Sequence, residues 1–180
     1  MQITSKLAAG LFLVVLATAG APRSYTSERH TSSPAQAHVA APRQPLTYWS
    51  ALSTTAIGIT GDVELGQHEI VIDDVHRYRI QKVRQLVASE VEAAKDLTGE
   101  RGLSQWLLYT VHIPASTQLN NGNTMCGDQA ATRLVMAYGS SAGAKTLSLI
   151  FLSGSKEPFR SGWRETTDSG VCGSFSYIRR

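Results

Sequence analysis

Cysteine is scarce in this chain of 180 residues, which holds two, Cys126 and Cys172. They do not form a Cys-x-x-Cys pair, so thioredoxin-like dithiol chemistry has no support. No cysteine follows the N-terminal apolar run, which argues against a lipid-anchored lipoprotein. Histidine is also sparse: all five residues (30, 38, 68, 76 and 112) precede the C-terminal third. No apolar stretch reaches the roughly 20 residues that span a bilayer. None of Asn120, Asn121 and Asn123 begins a glycosylation sequon. An excess of one charge is missing where it would matter. Of 17 Lys and Arg, Lys6, Arg23, Arg29 and Arg43 precede Tyr48, and of 14 Asp and Glu only Glu28 does, leaving 13 of each sign beyond it. The basic pI therefore comes from the N-terminal part, and nucleic-acid binding loses its electrostatic argument.

What is present at the N-terminus points to export. Lys6, the apolar run Leu7 to Gly20 and the small residues Ala17-Thr18-Ala19 read as a signal peptide over residues 1–19. Residues 20–47 are rich in Ser, Thr, Ala and Pro, with apolar residues too few to offset the entropy of ordering, and read as a spacer. His30 and His38 in that spacer make a poor metal site. A single domain is expected over residues 48–180, with no transmembrane segment in the mature protein. In an oxidising compartment an even pair of cysteines reads as a disulfide, and joining Cys126 to Cys172 stabilises by roughly 4 kcal/mol in the chain-entropy treatment.

The domain reads as a succession of short strands. Ile57, Ile59, Val63 and Leu65 share one parity and predict a half-buried strand or a hairpin bending at Gly61-Asp62. Glu69 to Ile72 and the alternating Arg77 to Val83 predict two more, with a turn at Asp73-Asp74. The period then changes: Val83, Leu86, Val87, Val91, Ala94 and Leu97 predict an amphipathic helix capped by Gly99, lying over an edge or open end of the sheet. Basic residues on its polar face are too few for membrane docking. Trp106 to Ile113, Leu134 to Tyr138, Thr146 to Leu152 and Ser174 to Ile178 complete the strands. The expected fold is mainly β, a β-rich α+β chain: an antiparallel meander of six or seven strands closed into a small barrel or sandwich, with one helix.

Three pieces carry a resemblance: Gly58-Ile59-Thr60-Gly61-Asp62-Val63, Asn121 to Gly127, and Gly173-Ser174-Phe175-Ser176-Tyr177. They are similar to segments of short exported bacterial proteins with no assigned function. The likeness spans most of Thr55 to Arg180 outside the helix. It implies export and a β-rich fold, and it supplies no activity.

Candidate chemistry is thin. Gly139-Ser140-Ser141-Ala142-Gly143 fits the Gly-x-Ser-x-Gly elbow, but that elbow needs a following helix and a later histidine, and an apolar β-branched run follows instead. It reads as a hairpin loop. His68, Asp73, Asp74, His76 and His112 are the set a small hydrolase or metal-dependent enzyme would draw on, although no spacing among them matches a known site. The polar stretch before the first cysteine reads as turn chemistry, since Asn and Asn-Gly tolerate left-handed backbone. Its functional reading is a disulfide-pinned recognition loop carrying Asn121, Asn123 and Asp128. The sequence thus favours an exported, periplasmic or secreted binding or envelope-associated protein, contacting a protein or small ligand of the envelope without a cofactor or metal. The enzyme is the alternative, and a periplasmic enzyme inhibitor a further one.

Overall fold

The apolar–polar alternation from residue 47 onward resolves into strands that pair in sequence order. The computed structural model describes residues 45–141, 143–160 and 170–179. The expected signal peptide lies outside the described residues, as does the expected spacer apart from its last three positions, Pro45 to Thr47. The elements are β1 (Thr47–Ala51), a π-helical turn (Ala56–Thr60), β2 (Val63–Leu65), β3 (Glu69–Ile72), β4 (His76–Gln85), α1 (Ala88–Thr98), β5 (Leu103–Ile113), a 3₁₀ turn (Asn120–Gly122), β6 (Ala131–Ser141), β7 (Ala144–Ser153) and β8 (Val171–Arg179). Each strand pairs antiparallel with the next. β8 returns to β1 through Ser50 opposite Ile178 and Ala51 opposite Tyr177, closing an eight-stranded barrel. Closure leaves no free sheet edge, the usual route to edge-to-edge aggregation.

An eight-stranded barrel has an interior about wide enough for its own side chains. Here Ile70, Ile80, Leu134, Phe151, Phe175 and Tyr177 fill it. Phe151 and Phe175 meet edge to face with centroids 5.7 Å apart. A second core lies outside the barrel wall. β5, β6 and β7 are apolar on both faces, and their outward residues Trp106, Leu108, Val135, Ala137, Ile150 and Leu152 need cover. Ala94, Val91 and Leu97 of α1, with Leu86 and Phe159, supply it.

That arrangement corrects the expected position of the helix, which covers the outer face of the wall and not an edge or end of the sheet. Its start differs too. Val83 sits at a β-bulge in β4, because Lys82 pairs with Tyr109 and Arg84 with Leu108, leaving one residue unmatched. Strand pairing as far as Gln85 overrides the helical spacing, and α1 begins at Ala88. Its end is as expected: Gly99 takes φ 70° and its N–H bonds the Lys95 carbonyl at 2.8 Å. Ile57 and Ile59 belong to the π-helical turn, so no strand spans Gly61. The residues that turn buries are Ala56 and Thr60. The segment from Gly139 forms a hairpin, with Ser140 opposite Lys145 and Ser141 opposite Ala144. A disulfide joins Cys126, ahead of β6, to Cys172 in β8 across a separation of 46 residues.

Candidate functional site

Antiparallel pairing gathers the connections at two ends of the barrel. One end carries the π-helical turn, the β3–β4 turn, the polar stretch before β6 and the disulfide. The other is formed by the starts of β1, β3, β5 and β7 and the ends of β2, β4, β6 and β8.

The first end is held shut by polar side chains. Thr60 Oγ1 lies 2.6 Å from the Tyr177 hydroxyl and 3.1 Å from the Ala56 carbonyl, joining the π-helical turn to β8. The Asn120 amide donates to Asp73 Oδ1 at 2.7 Å and Oδ2 at 2.9 Å, while its oxygen accepts the Gly61 N–H at 3.1 Å. Asn121 and Asn123 both donate to the Gly58 carbonyl, at 3.0 and 3.1 Å, and Asn123 also bonds the Asn120 carbonyl at 3.0 Å. Asp62 accepts the Ala51 N–H at 2.7 Å and the Tyr48 hydroxyl. Asp73 and Asp74 both take φ 55°, the pattern of a tight hairpin turn in which Asn-Gly is more usual. These residues work on one another. Asp128, by contrast, is exposed and lines a cleft of about 340 Å³ beside the disulfide with Gln129, Thr124 and Ile59.

The histidines and aspartates that an enzyme would draw on do not share a site. His68 is exposed in the β2–β3 turn at the far end from Asp73, Asp74 and His76. His76 is half-buried and stacks on Tyr78 at 6.4 Å. His112 is exposed on the outside of β5. Among the described residues no three His, Cys, Asp or Glu side chains are grouped to hold a metal ion.

The second end is open. A cleft of about 550 Å³ lies there, lined by Trp49 and Thr47 of β1, Leu65 of β2, Gln105 of β5, Tyr138 of β6, Lys145 and Thr146 of β7, and Arg179 of β8. Its floor is apolar: Trp49 and Leu65 are buried, and the Trp49 and Tyr138 rings meet tilted with centroids 6.2 Å apart. The Arg179 guanidinium sits over Trp49, 5.3 Å from its ring centroid. The Tyr138 hydroxyl donates to the Met136 sulfur at 3.3 Å, a weak acceptor. Burial, with a smaller effect of Tyr109, pushes the Tyr138 phenol up to about 12, so at neutral pH it remains a neutral donor. Sequence reasoning missed this mouth. Its signal was parity: Lys145 shares a face with Leu147 and Leu149, and Arg179 with Phe175 and Tyr177.

Comparison of the chain with protein-family models, with curated proteins and with solved structures finds no match. Among the described residues no helix is long and apolar enough to cross a membrane.

Proposed function

We propose that this chain is an exported, non-enzymatic binding protein whose ligand site is the open mouth of the barrel. The carrying observation is the difference between the ends: one is bolted shut by side chains bonded to backbone, the other opens on an aromatic floor with polar groups at its rim. An apolar recess with a few converging polar groups is the usual form of a small-molecule site. The disulfide supports export to an oxidising compartment, periplasmic or extracellular. The spread of His68, Asp73, Asp74, His76 and His112 over separate surfaces weighs against the hydrolase alternative.

A second reading keeps recognition on the disulfide loop, because Asp128 and Gln129 line the smaller cleft there. One experiment separates the two. Amide shifts of the labelled protein are followed while envelope small-molecule and protein fractions are added in turn. The mouth reading expects shifts at Trp49, Tyr138, Lys145 and Arg179 with the small-molecule fraction. Shifts confined to residues 124–129 would move the site to the loop, and shifts at neither place would remove both readings.

A further inference from the structure

We infer that the mouth takes an amphipathic anion, a carboxylate carried on a compact apolar or aromatic body. The inference rests on the mouth being the binding site, and it begins with the register of β7 and β8. Lys145 stands directly opposite Arg179 across that ladder. Like charges placed opposite each other on one face of an antiparallel pair are destabilising. Both residues have the inward parity of Leu147 and Tyr177, so the two cations converge on the cleft.

Nothing among the described residues neutralises them. Among the described residues neither Lys145 nor Arg179 takes part in an ion pair. The described residues that line the cleft include no Asp or Glu. A recess lined by one sign of charge over a low-dielectric floor concentrates counter-ions of the other sign. Arg179 is held over the Trp49 ring at the cleft, and a guanidinium can take a carboxylate with two parallel hydrogen bonds. Below the cations, Trp49, Leu65 and Tyr138 offer a surface for an apolar body, and Tyr138 brings a hydroxyl whose present acceptor is a thioether. The two layers, cationic above and aromatic below, match a molecule with a charged head and an apolar body.

The test uses three probes with one ring system and different heads: 2-naphthoate, the neutral 2-naphthamide, and 2-naphthylmethylammonium. Each is titrated into the whole protein by calorimetry and by amide shifts. Naphthoate should bind about tenfold or more tightly than the amide, and the ammonium more weakly than either, since charge-assisted hydrogen bonds are roughly twice as strong as neutral ones. Lys145→Ala and Arg179→Ala should each weaken naphthoate several-fold, with Arg179→Lys in between. Lys145 is exposed, so its variant keeps the test valid if loss of Arg179 disturbs the Trp49 contact. If the amide binds at the mouth as tightly as naphthoate, or both alanine variants leave naphthoate affinity unchanged, the anion is wrong while the mouth stands. If none of the three probes shifts the mouth residues, the mouth is not the site and both readings fall.

Discussion

Thr60 and Tyr177 meet at 2.6 Å inside the closed end of the barrel, both fully buried and 117 positions apart in the chain. Because Thr60 donates to the Ala56 carbonyl, the Tyr177 hydroxyl is the donor to Thr60. The two substitutions are therefore unequal. Tyr177→Phe leaves Thr60 with its backbone partner and should destabilise by about 1 kcal/mol. Thr60→Val leaves a buried phenol without an acceptor and should destabilise by about 1–3 kcal/mol. Denaturant unfolding of both variants checks the order, and an equal loss would mean that the hydroxyl pair is not the bolt.

The same tyrosine sets a pH dependence. Burial raises Tyr177 above the ordinary phenol value of 10.0, and burial pushes Tyr138 up to about 12. The folded state therefore holds these protons more tightly than the unfolded chain. That stabilisation is complete below pH 10 and is lost as the pH climbs through and beyond it. The melting temperature should fall steeply above pH 10, and less steeply in Tyr138→Phe. An unchanged slope in that variant would assign the alkaline loss to other groups.

At the acid side the group to watch is Glu90. Arg84 grips it with two hydrogen bonds of 2.6 and 2.8 Å, and the Val87 N–H adds a third at 3.0 Å, half of a capping box at the start of α1. The Arg84 bonds hold its carboxyl below the ordinary value of 4.5 against the opposing effect of burial. This contribution is present above that value and is lost as the pH falls through the lowered one. Glu90→Gln should destabilise by about 2 kcal/mol at neutral pH and flatten the acid limb of the stability curve. A full acid limb in Glu90→Gln would trace acid unfolding elsewhere.

Much of the barrel was legible because period-two alternation reports one buried face. Ile70, Ile72, Ile80, Val111, Leu134 and Phe175 all occupy the interior that alternation implies. The disulfide followed from an even pair of cysteines read beside an expected export signal. Closure was expected as a barrel or a sandwich, and the structure is the barrel; the closing pair itself was not legible, since nothing local in β1 or β8 says that Ala51 will face Tyr177. Ile57 and Ile59 imitated a strand because five residues are too few to tell a period of two from a tight helical turn. Val83 imitated the start of a helix because a bulge residue escapes the strand's alternation. The mouth was hidden for a related reason: Lys145 and Arg179 become neighbours only once the β7–β8 register is known.

Gly61 has a conformation with little freedom to change. It takes φ 60° and ψ −155°, open essentially to glycine alone, and a Cβ there would lie 2.7 Å from the Asn120 amide oxygen, the atom that accepts the Gly61 N–H. Gly61→Ala should destabilise by about 2–3 kcal/mol, combining backbone strain with displacement of Asn120 from Asp73. Asn120→Ala should be less harmful alone, and the double variant should fall short of the sum because both changes break the same contact. Additive losses in a double-mutant cycle would separate the glycine from the amide.

The disulfide should matter for the unfolded chain more than for any local contact. A bond across 46 residues restricts the denatured ensemble by roughly 4 kcal/mol in the chain-entropy treatment. Cys172→Ser should lower stability by several kcal/mol and free the thiol of Cys126. Two reactive thiols in denatured, unreduced wild-type protein would remove the bond itself.

Asn121 and Asn123 decide between a recognition loop and a closing cap. If the loop bound a partner through these amides, removing them would weaken capture and leave the fold alone. Their geometry points to the other outcome, since both amides donate to the single Gly58 carbonyl at the turn that closes the barrel. Asn121 also takes φ 58°, a left-handed backbone that asparagine tolerates better than alanine. Asn121→Ala with Asn123→Ala should therefore destabilise by about 1–2 kcal/mol, from three lost hydrogen bonds at an exposed turn and some backbone strain. Naphthoate binding at the opposite, open end should be unchanged. Asn121→Gly separates the two causes, because glycine relieves the strain without restoring the bond. An unchanged melting temperature in the double alanine variant would free these side chains for recognition and return the loop to consideration beside Asp128.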